Sequence, residues 1–229
     1  LLCGAVSAED WPGWRGPRGD GTSLDTQVPI EWDGESGKNI LWKVPVAGTG
    51  HASPIVWKDR IFLATCLPDS QERQLICLDR DTGKVLWNKT VVKSLLETKH
   101  SLNSHASSTP ATDGKLVYVT FLEIDGHTIP APNVGRARPV TPGAIVVAAY
   151  DFDGNRQWLA RPGGFVSAHG FCSSPVVYQN LVIVNGDHDG DSYVVALDKQ
   201  TGKTVWKVPR RHKTRSYVTP IVREIDGRR

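Results

Sequence analysis

Short segments in which apolar and polar residues alternate recur along most of the chain, and turn-forming residues separate them. The segment 84–91 is typical, because it places Val85 and Trp87 on one face and Lys84 and Leu86 on the other. This two-residue period is that of a β-strand with one buried face. Short strands at regular spacing with turn signals between them are typical of all-β folds. The pattern therefore predicts an all-β protein built from four-stranded antiparallel sheets.

The alternating segments form three complete groups of four strands. An irregular leader, 9–39, precedes a region of strands that extends over 40–229. The three groups occupy 52–91, 108–160 and 172–209, and a further group begins within 216–229. Their predicted strands are Ser53–Trp57, Ile61–Cys66, Arg73–Asp79 and Lys84–Val91, then Ser108–Thr112, Leu116–Ile124, Ala144–Asp151 and Asn155–Ala160, then Ser174–Tyr178, Leu181–Asn185, Tyr193–Asp198 and Lys203–Val208.

Other segments lie outside these groups. A lone outer strand is predicted over 40–46, and the last group is predicted to begin with a strand at Thr219–Ile225 and a turn at Asp226-Gly227. A helical turn is predicted at Ser94–Thr98. The loop Gly126–Pro142 is rich in proline and should form a stiff insertion between two strands of the second group.

A D-x-x-T-G-x-x-x-W motif connects the third and fourth strands of the first and third groups. It occurs at 79–87 and 198–206, in shortened form at 151–158 and in stretched form at 33–42. The Asp can accept hydrogen bonds from the turn amides, and the Gly tolerates the positive φ of a tight turn. Burying one Trp stabilises a fold by about 4–6 kcal/mol. We interpret four tryptophans as structural anchors between sheets: Trp42, Trp87, Trp158 and Trp206.

A second motif, Ser/Thr-Pro followed by β-branched residues, recurs in step with the first. It begins at Ser53, Thr109, Ser174 and Thr219. The base period is roughly 45 residues, which suits the four-stranded blade of a β-propeller.

The two motifs together resemble the PQQ-like repeat of the quinoprotein alcohol dehydrogenase-like β-propellers, a superfamily that includes the outer-membrane-assembly propeller lipoproteins. The resemblance covers about residues 32–229. It implies a closed ring of about seven or eight blades, of which this chain would supply three. We therefore expect the missing blades of the same chain to be its first partners.

The N-terminus and the composition indicate an exported protein. Residues 1–8 resemble the end of a signal peptide, with small residues placed for cleavage before Glu9. The sequence thus predicts a periplasmic or secreted location and contains no stretch long enough to span a bilayer. Disulfides are compatible with export, and Cys66 could pair with Cys77 or Cys172. The formal net charge of +3 is too small to indicate nucleic-acid binding.

Candidate ligand groups cluster in the loops of one propeller face. Four histidines precede the Ser/Thr-Pro motifs, and an acidic loop joins two strands of the third blade. The hypothesis is that these side chains converge on the channel mouth and bind a metal ion or a small polar ligand, the alternative being that they are solvated loop residues. A basic run, 210–215, lies on the same face and could attract an anionic partner. The candidate residues are His51, His105, His169, His212, Asp187, His188 and Asp189.

The sequence supports two functional interpretations. The preferred one is a non-catalytic scaffold without a cofactor, which binds a protein or a small polar ligand at one face. The alternative, implied by the family resemblance, is part of a dehydrogenase that uses PQQ with calcium. This sequence has neither the adjacent cysteine pair that many alcohol-oxidising members carry nor a carboxylate that matches the family's catalytic base. The missing blades could hold some of these features, so this departure weakens the dehydrogenase interpretation without closing it.

Overall fold

The computed structural model describes residues 8–135, 138–223 and 225–226. Most of the predicted signal-peptide remnant, together with Gly227 of the last predicted turn, lies outside these residues. The regular elements of the described part are all strands. They are β1 Ile55–Trp57, β2 Arg60–Leu67, β3 Glu72–Asp79, β4 Val85–Lys93, β5 Ala111–Thr112, β6 Leu116–Ile124, β7 Ile129–Pro130, β8 Pro139–Val140, β9 Gly143–Asp151, β10 Arg156–Phe165, β11 Val176–Tyr178, β12 Leu181–Gly186, β13 Tyr193–Asp198 and β14 Thr204–Pro209.

Three four-stranded antiparallel sheets follow one another along the chain. The strand orders are β1-β2-β3-β4, β5-β6-β9-β10 and β11-β12-β13-β14, so neighbours in sequence pair directly. The ribbon β7-β8 is inserted between β6 and β9. This is the predicted propeller architecture, with three blades and a structured insertion.

Three segments outside the blades differ from the sequence prediction. Residues 40–46 and 219–223 form no strand, because no neighbouring strand among the described residues provides hydrogen-bond partners. Residues 94–98 form no helical turn. Instead, the carbonyls of Ser94 and Leu95 accept hydrogen bonds from the buried guanidinium of Arg73, which also pairs with Glu97 at 2.7 Å.

The Ser/Thr-Pro motifs join neighbouring blades near the propeller axis. The backbone N–H of Ser53 donates to the hydroxyl of Thr109 at 3.0 Å. The backbone N–H of Thr109 in turn donates to the hydroxyl of Ser174 at 3.0 Å. The recurrence of this motif in the sequence thus corresponds to a chain of hydrogen bonds from one innermost strand to the next.

Three of the four predicted tryptophan anchors join neighbouring blades at the outer edge, whereas Trp206 is exposed and contacts no such turn among the described residues. The indole N–H of Trp42, Trp87 and Trp158 donates to the carbonyl oxygen of Arg80, Phe152 and Lys199, respectively, at 2.8–3.0 Å. In each pair the acceptor lies in the Asp-Gly turn of the following blade. A methyl group added at the turn glycine would lie 2.5–2.9 Å from the indole, so only glycine permits this contact. The turn glycines are Gly83, Gly154 and Gly202.

The leader lies against the innermost strands. Trp11 exchanges two backbone hydrogen bonds with Val56 of β1, at 2.8 and 3.0 Å. One residue later, the carbonyl oxygen of Pro12 accepts from the N–H of Thr112 in β5 at 2.8 Å. The leader therefore crosses two blades and forms one wall of the axial space.

Candidate functional site

The loops before β11 and after β14 meet at the channel mouth through His169 and Tyr217. The Nδ1 of His169 and the hydroxyl of Tyr217 share a hydrogen bond of 2.5 Å. The ring of His100 contacts the His169 ring edge-on, with centroids 5.4 Å apart. Burial, with the nearby Arg215 and Arg138 cations, lowers the pKa of His169 below its ordinary value, so its imidazole is neutral at neutral pH.

Two cavities meet at Tyr217 of this pair. One, of about 610 Å³, lies between the leader, β5, β11 and residues 217–222. The other, of about 380 Å³, opens beside it and shares its lining residues Cys172 and Tyr217. Both are bounded mainly by neutral polar and apolar groups. The smaller cavity is lined by His100, Leu102, Asn103, His169, Cys172 and Tyr217.

The remaining candidate histidines occupy different environments. His51 lines the larger cavity. The Nε2 of His105 donates to the carbonyl oxygen of Glu97 at 3.0 Å, so this ring fixes a loop between blades. His212 is exposed. Among residues 8–135, 138–223 and 225–226, no three His, Cys, Asp or Glu side chains are placed to hold a metal ion.

His188 has a structural position inside blade three. Its ring is buried between Phe165 and Tyr193. Its Nδ1 accepts the backbone N–H groups of Val166 and Gly190 at 3.2 and 2.9 Å. Burial lowers the pKa of His188, against the opposing effect of the acidic residues around it. Because Nδ1 is the acceptor of both hydrogen bonds, protonation of this nitrogen would break them and alter the loop.

Ion pairs connect the acidic loop 187–191 to the basic segment 210–215. Both oxygens of the buried Asp189 carboxylate accept hydrogen bonds from the Nη1 of Arg215, at 2.7 and 2.6 Å. Asp187 accepts from Arg210 at 3.2 Å, and Asp191 pairs with Lys213 at 2.8 Å. The outer two pairs are solvated and therefore contribute little. The buried Asp189–Arg215 pair thus fixes how the segment 210–215 lies against the acidic loop.

These carboxylates do not fit the calcium ion of the alternative interpretation. Calcium takes 6–8 oxygen ligands in proteins. The three acidic side chains of the mouth loop are each paired with a protein cation, and a guanidinium at Asp189 would repel a calcium ion. No step that uses the cofactor can be derived from these residues.

The three cysteines of the described part are free thiols, so neither of the disulfides considered from the sequence is formed. Burial raises the pKa of Cys172 to about 11 and that of Cys77 to about 12. Both thiols are therefore protonated at neutral pH, and the Cys172 thiol in the cavity walls is a weak nucleophile.

Sequence reasoning did not identify His100 or Tyr217 as part of the site. Tyr217 lies two residues before the last Ser/Thr-Pro motif, in a loop that was expected at the mouth. His100 lies in the connection between the first two blades and carries no motif signal. Its position follows from tertiary contacts with His169, namely the edge-on ring contact and the hydrogen bond that its N–H donates to the His169 carbonyl at 3.3 Å.

Solved structures with similar folds include quinoprotein dehydrogenases and an outer-membrane protein. A europium-containing methanol dehydrogenase is 16% identical, with a TM-score of 0.47 over 71% of this chain and 25% of its own. The quinohemoprotein alcohol dehydrogenase ADHIIG from Pseudomonas putida HK5 is 20% identical, with a TM-score of 0.47 over 73% of this chain and 22% of its own. BamB from Moraxella catarrhalis is 17% identical, with a TM-score of 0.30 over 75% of this chain and 53% of its own.

The chain thus spans about a quarter of the length of these dehydrogenases and about half that of this BamB. No curated protein matches the sequence significantly. The described residues include no helix of the length and apolar character that crossing a membrane requires.

The family comparison covers nearly the whole region of strands. Two overlapping segments, 32–164 and 126–229, match the family described as outer membrane protein assembly factor BamB. The matched residues amount to more than half of the chain and include every blade and the last Ser/Thr-Pro motif. The chain therefore belongs to this family of PQQ-like β-propellers.

Proposed function

We propose that this protein is an exported, non-catalytic propeller that binds another protein through the loops at its channel mouth. Membership of a family described as an outer membrane assembly factor supports a protein partner and export. The sequence of residues 1–8, which resembles the end of a signal peptide, also supports export to the periplasm.

The observation that carries this proposal is the fixed contact between two mouth loops. The buried Asp189–Arg215 pair holds residues 210–215 onto blade three. Asn133, beside the ribbon β7-β8, donates to the carbonyl oxygen of Lys213 at 2.6 Å and thereby adds a second attachment. A surface that is ordered before binding loses less conformational entropy when a partner docks.

The exposed side of this surface is basic. Arg211 and His212 face solvent with no ion pair among the described residues, and Lys213 is solvated although it pairs with Asp191. A rigid surface with this charge favours an acidic surface of a partner protein and increases the rate of association at low salt. The neutral cavity beside His169 can accept a side chain of that partner.

Site-specific photo-crosslinking tests this proposal in the organism that encodes the protein. A photoreactive phenylalanine replaces His212 at the mouth, and a matched control replaces Lys115 in the β5–β6 turn. We expect the His212 position to give a defined periplasmic adduct that Arg211→Glu weakens and the control position lacks. Equal adducts at both positions would contradict the proposal.

A separate assay on purified protein tests the alternative interpretation. Purified protein is incubated with PQQ, calcium ions, an alcohol and an electron-accepting dye. We expect no dye reduction above the rate without protein. Dye reduction that requires both PQQ and calcium would replace the scaffold proposal with the dehydrogenase.

A further inference from the structure

The acidic loop of blade three is folded around the imidazole ring of His188. The ring is buried between Phe165 and Tyr193, with centroid distances of 5.4 and 6.2 Å. Its Nδ1 accepts the backbone N–H groups of Val166, directly after β10, and of Gly190 in the loop itself. A methyl group added at Gly190 would lie 2.7 Å from the ring, so the loop backbone is packed closely against it. One ring nitrogen therefore holds the loop to the end of β10.

Hydrogen bonds connect the backbone of His188 to the start of the basic segment 210–215. The N–H of His188 donates to the hydroxyl of Ser192 at 3.0 Å, and that hydroxyl donates to the His188 carbonyl at 2.6 Å. The carbonyl of Ser192 in turn accepts the N–H of Arg210 at 2.8 Å. Ser192 is buried, where hydrogen bonds are electrostatically stronger than in water. A shift of the His188 backbone therefore affects Arg210 through a single intervening residue.

The far end of the same segment is attached through Asp189, the neighbour of His188 in the loop. The backbone N–H of Asp189 donates to the carbonyl of Val166 at 2.9 Å, so Val166 is bonded to the loop through both of its backbone groups. The carboxylate of Asp189 is fully buried and accepts the hydrogen bonds of Arg215. Both ends of the basic segment are therefore attached to the loop that encloses the His188 ring.

Protonation of His188 removes the acceptor on which this loop depends. A protonated imidazole donates from both nitrogens and accepts at neither. The N–H groups of Val166 and Gly190 would then lose their partner at a buried site, which is unfavourable. Burial opposes protonation and lowers the pKa of His188, against the raising effect of the acidic residues around it. Acid therefore favours a loop conformation in which the ring reaches water.

The described groups that face the ring leave His188 as the one that titrates near neutral pH. From β13 the ring faces Tyr193, whose pKa burial raises, and the ammonium of Lys207 lies 3.8 Å from the centroid of the Tyr193 ring. The end of β10 contributes only uncharged side chains. The loop contributes three carboxylates, each paired with a cation of the basic segment: Asp187–Arg210, Asp189–Arg215 and Asp191–Lys213. Histidine is the side chain whose ordinary pKa lies between pH 5 and 8.

We propose that protonation of His188 is a switch that loosens the basic segment 210–215 and thereby weakens the basic surface at the channel mouth in acid. In the neutral state the ring holds the loop, and the loop holds both ends of the segment. In the protonated state the segment loses these attachments together. The effect on a partner rests on the proposed function, whereas the change in the segment does not.

Amide hydrogen exchange measures the attachment of the segment without a partner. The N–H of Arg210 is the reporter, because it donates to Ser192. We expect its protection, corrected for the intrinsic effect of pH, to fall about three- to tenfold from pH 7.5 to pH 5.5. His188→Asn and His188→Gln supply an amide oxygen that does not titrate, so the fall should disappear in both. His212→Asn is the matched control, because it removes an exposed histidine from the same segment and should leave the fall unchanged.

The titration of the ring itself, followed by NMR in the unmodified protein, keeps the test independent of whether these variants fold. The fall in protection should extend from about pH 6.5 down to the pH at which the His188 ring titrates. Constant protection over that range would overturn the proposal. A fall that persists in both variants at His188 would also overturn it.

The crosslinking assay, repeated in cells held at pH 7.5 and pH 5.5, tests the effect on binding. We expect the adduct at position 212 to weaken about threefold or more at pH 5.5, and His188→Asn to prevent this loss. Equal adducts at the two pH values, together with a fall in protection, would overturn the effect on binding. An adduct absent at both pH values would contradict the proposed function, while the exchange result would stand or fall separately.

Discussion

The indole N–H of Trp87, in the last strand of the first blade, donates a 2.8 Å hydrogen bond to the carbonyl oxygen of Phe152 in the second. The contact connects residues 65 positions apart and recurs at Trp42 and Trp158. Each indole joins a different pair of neighbouring repeats. The blades are therefore held together by a repeated polar and apolar joint, as expected when each repeat cannot bury its faces alone.

The fit between indole and glycine predicts a large effect of one methyl group. In Gly202→Ala the new Cβ would lie 2.5 Å from the Trp158 ring, at a φ of +70°. We expect a loss of about 3 kcal/mol from the combined overpacking and backbone strain. Gly21→Ala, where the φ is also positive but the space is open, should lose only about 1 kcal/mol. Urea denaturation measures both values, and equal losses would contradict the fit.

Replacing a docked tryptophan with phenylalanine tests the hydrogen bond of the joint. Trp158→Phe leaves the carbonyl of Lys199 without its indole donor and opens a small cavity. We expect a loss of about 2–3 kcal/mol in the free energy of unfolding. Trp206→Phe, which removes no such bond to any residue that the structure describes, should change it by less than about 0.5 kcal/mol.

The buried pair between Arg73 and Glu97 should be far more sensitive to substitution than a pair on the surface. Both side chains are at most 2% exposed, and Arg73 also holds two loop carbonyls. Glu97→Ala leaves the guanidinium buried without its counter-charge, which costs about 3–5 kcal/mol. Glu123→Ala, which breaks the solvated pair with Arg161, should cost about 1 kcal/mol or less. Similar losses in urea denaturation would show that burial of the first pair has no special effect.

The lowered pKa of His188 predicts a stability change near neutral pH. Because the unfolded chain binds a proton more readily than the folded one, this residue's contribution is complete above pH 6.5 and is lost as the pH falls. Its slope approaches about 1.4 kcal/mol per pH unit. In His188→Asn the amide oxygen can accept the same backbone N–H groups without titrating. The loss of stability from pH 7 to pH 5 should therefore be smaller in this variant, and an unchanged loss would exclude His188 as its source.

The sequence was a good guide to the blades because each strand carries its own periodic signal. The strand predicted at Leu116–Ile124 and that predicted at Tyr193–Asp198 have the same bounds in the structure. The predictions failed where pairing depends on a neighbour, since 40–46 alternates like a strand but has no adjacent strand among the described residues. The conformation of residues 94–98 is set by Arg73, whose guanidinium donates hydrogen bonds to two carbonyl groups of this segment. This is a tertiary contact, and no local sequence pattern predicts it.

The channel mouth was predicted only in outline. Loop positions predicted that His169 and the basic segment 210–215 share a face, because turns at one end of antiparallel strands lie together. In the structure, His169 and Arg215 line one pocket. The sequence could not show that Asp189 forms an ion pair with Arg215, which leaves its carboxylate unavailable to a ligand. Nor could it show that His188 is buried. Those outcomes depend on which loop side chains reach each other, and that follows from packing between distant segments.

Hydrogen exchange of the indole N–H groups tests the repeated joint most directly. The chain has eight tryptophans, whose side-chain N–H signals can be assigned by single substitutions to phenylalanine. We predict slow exchange at Trp42, Trp87 and Trp158, whose N–H groups are bonded to the next repeat, and fast exchange at the exposed Trp32. Exchange at Trp87 and Trp158 as fast as at Trp32 would contradict the account of how these blades are held together.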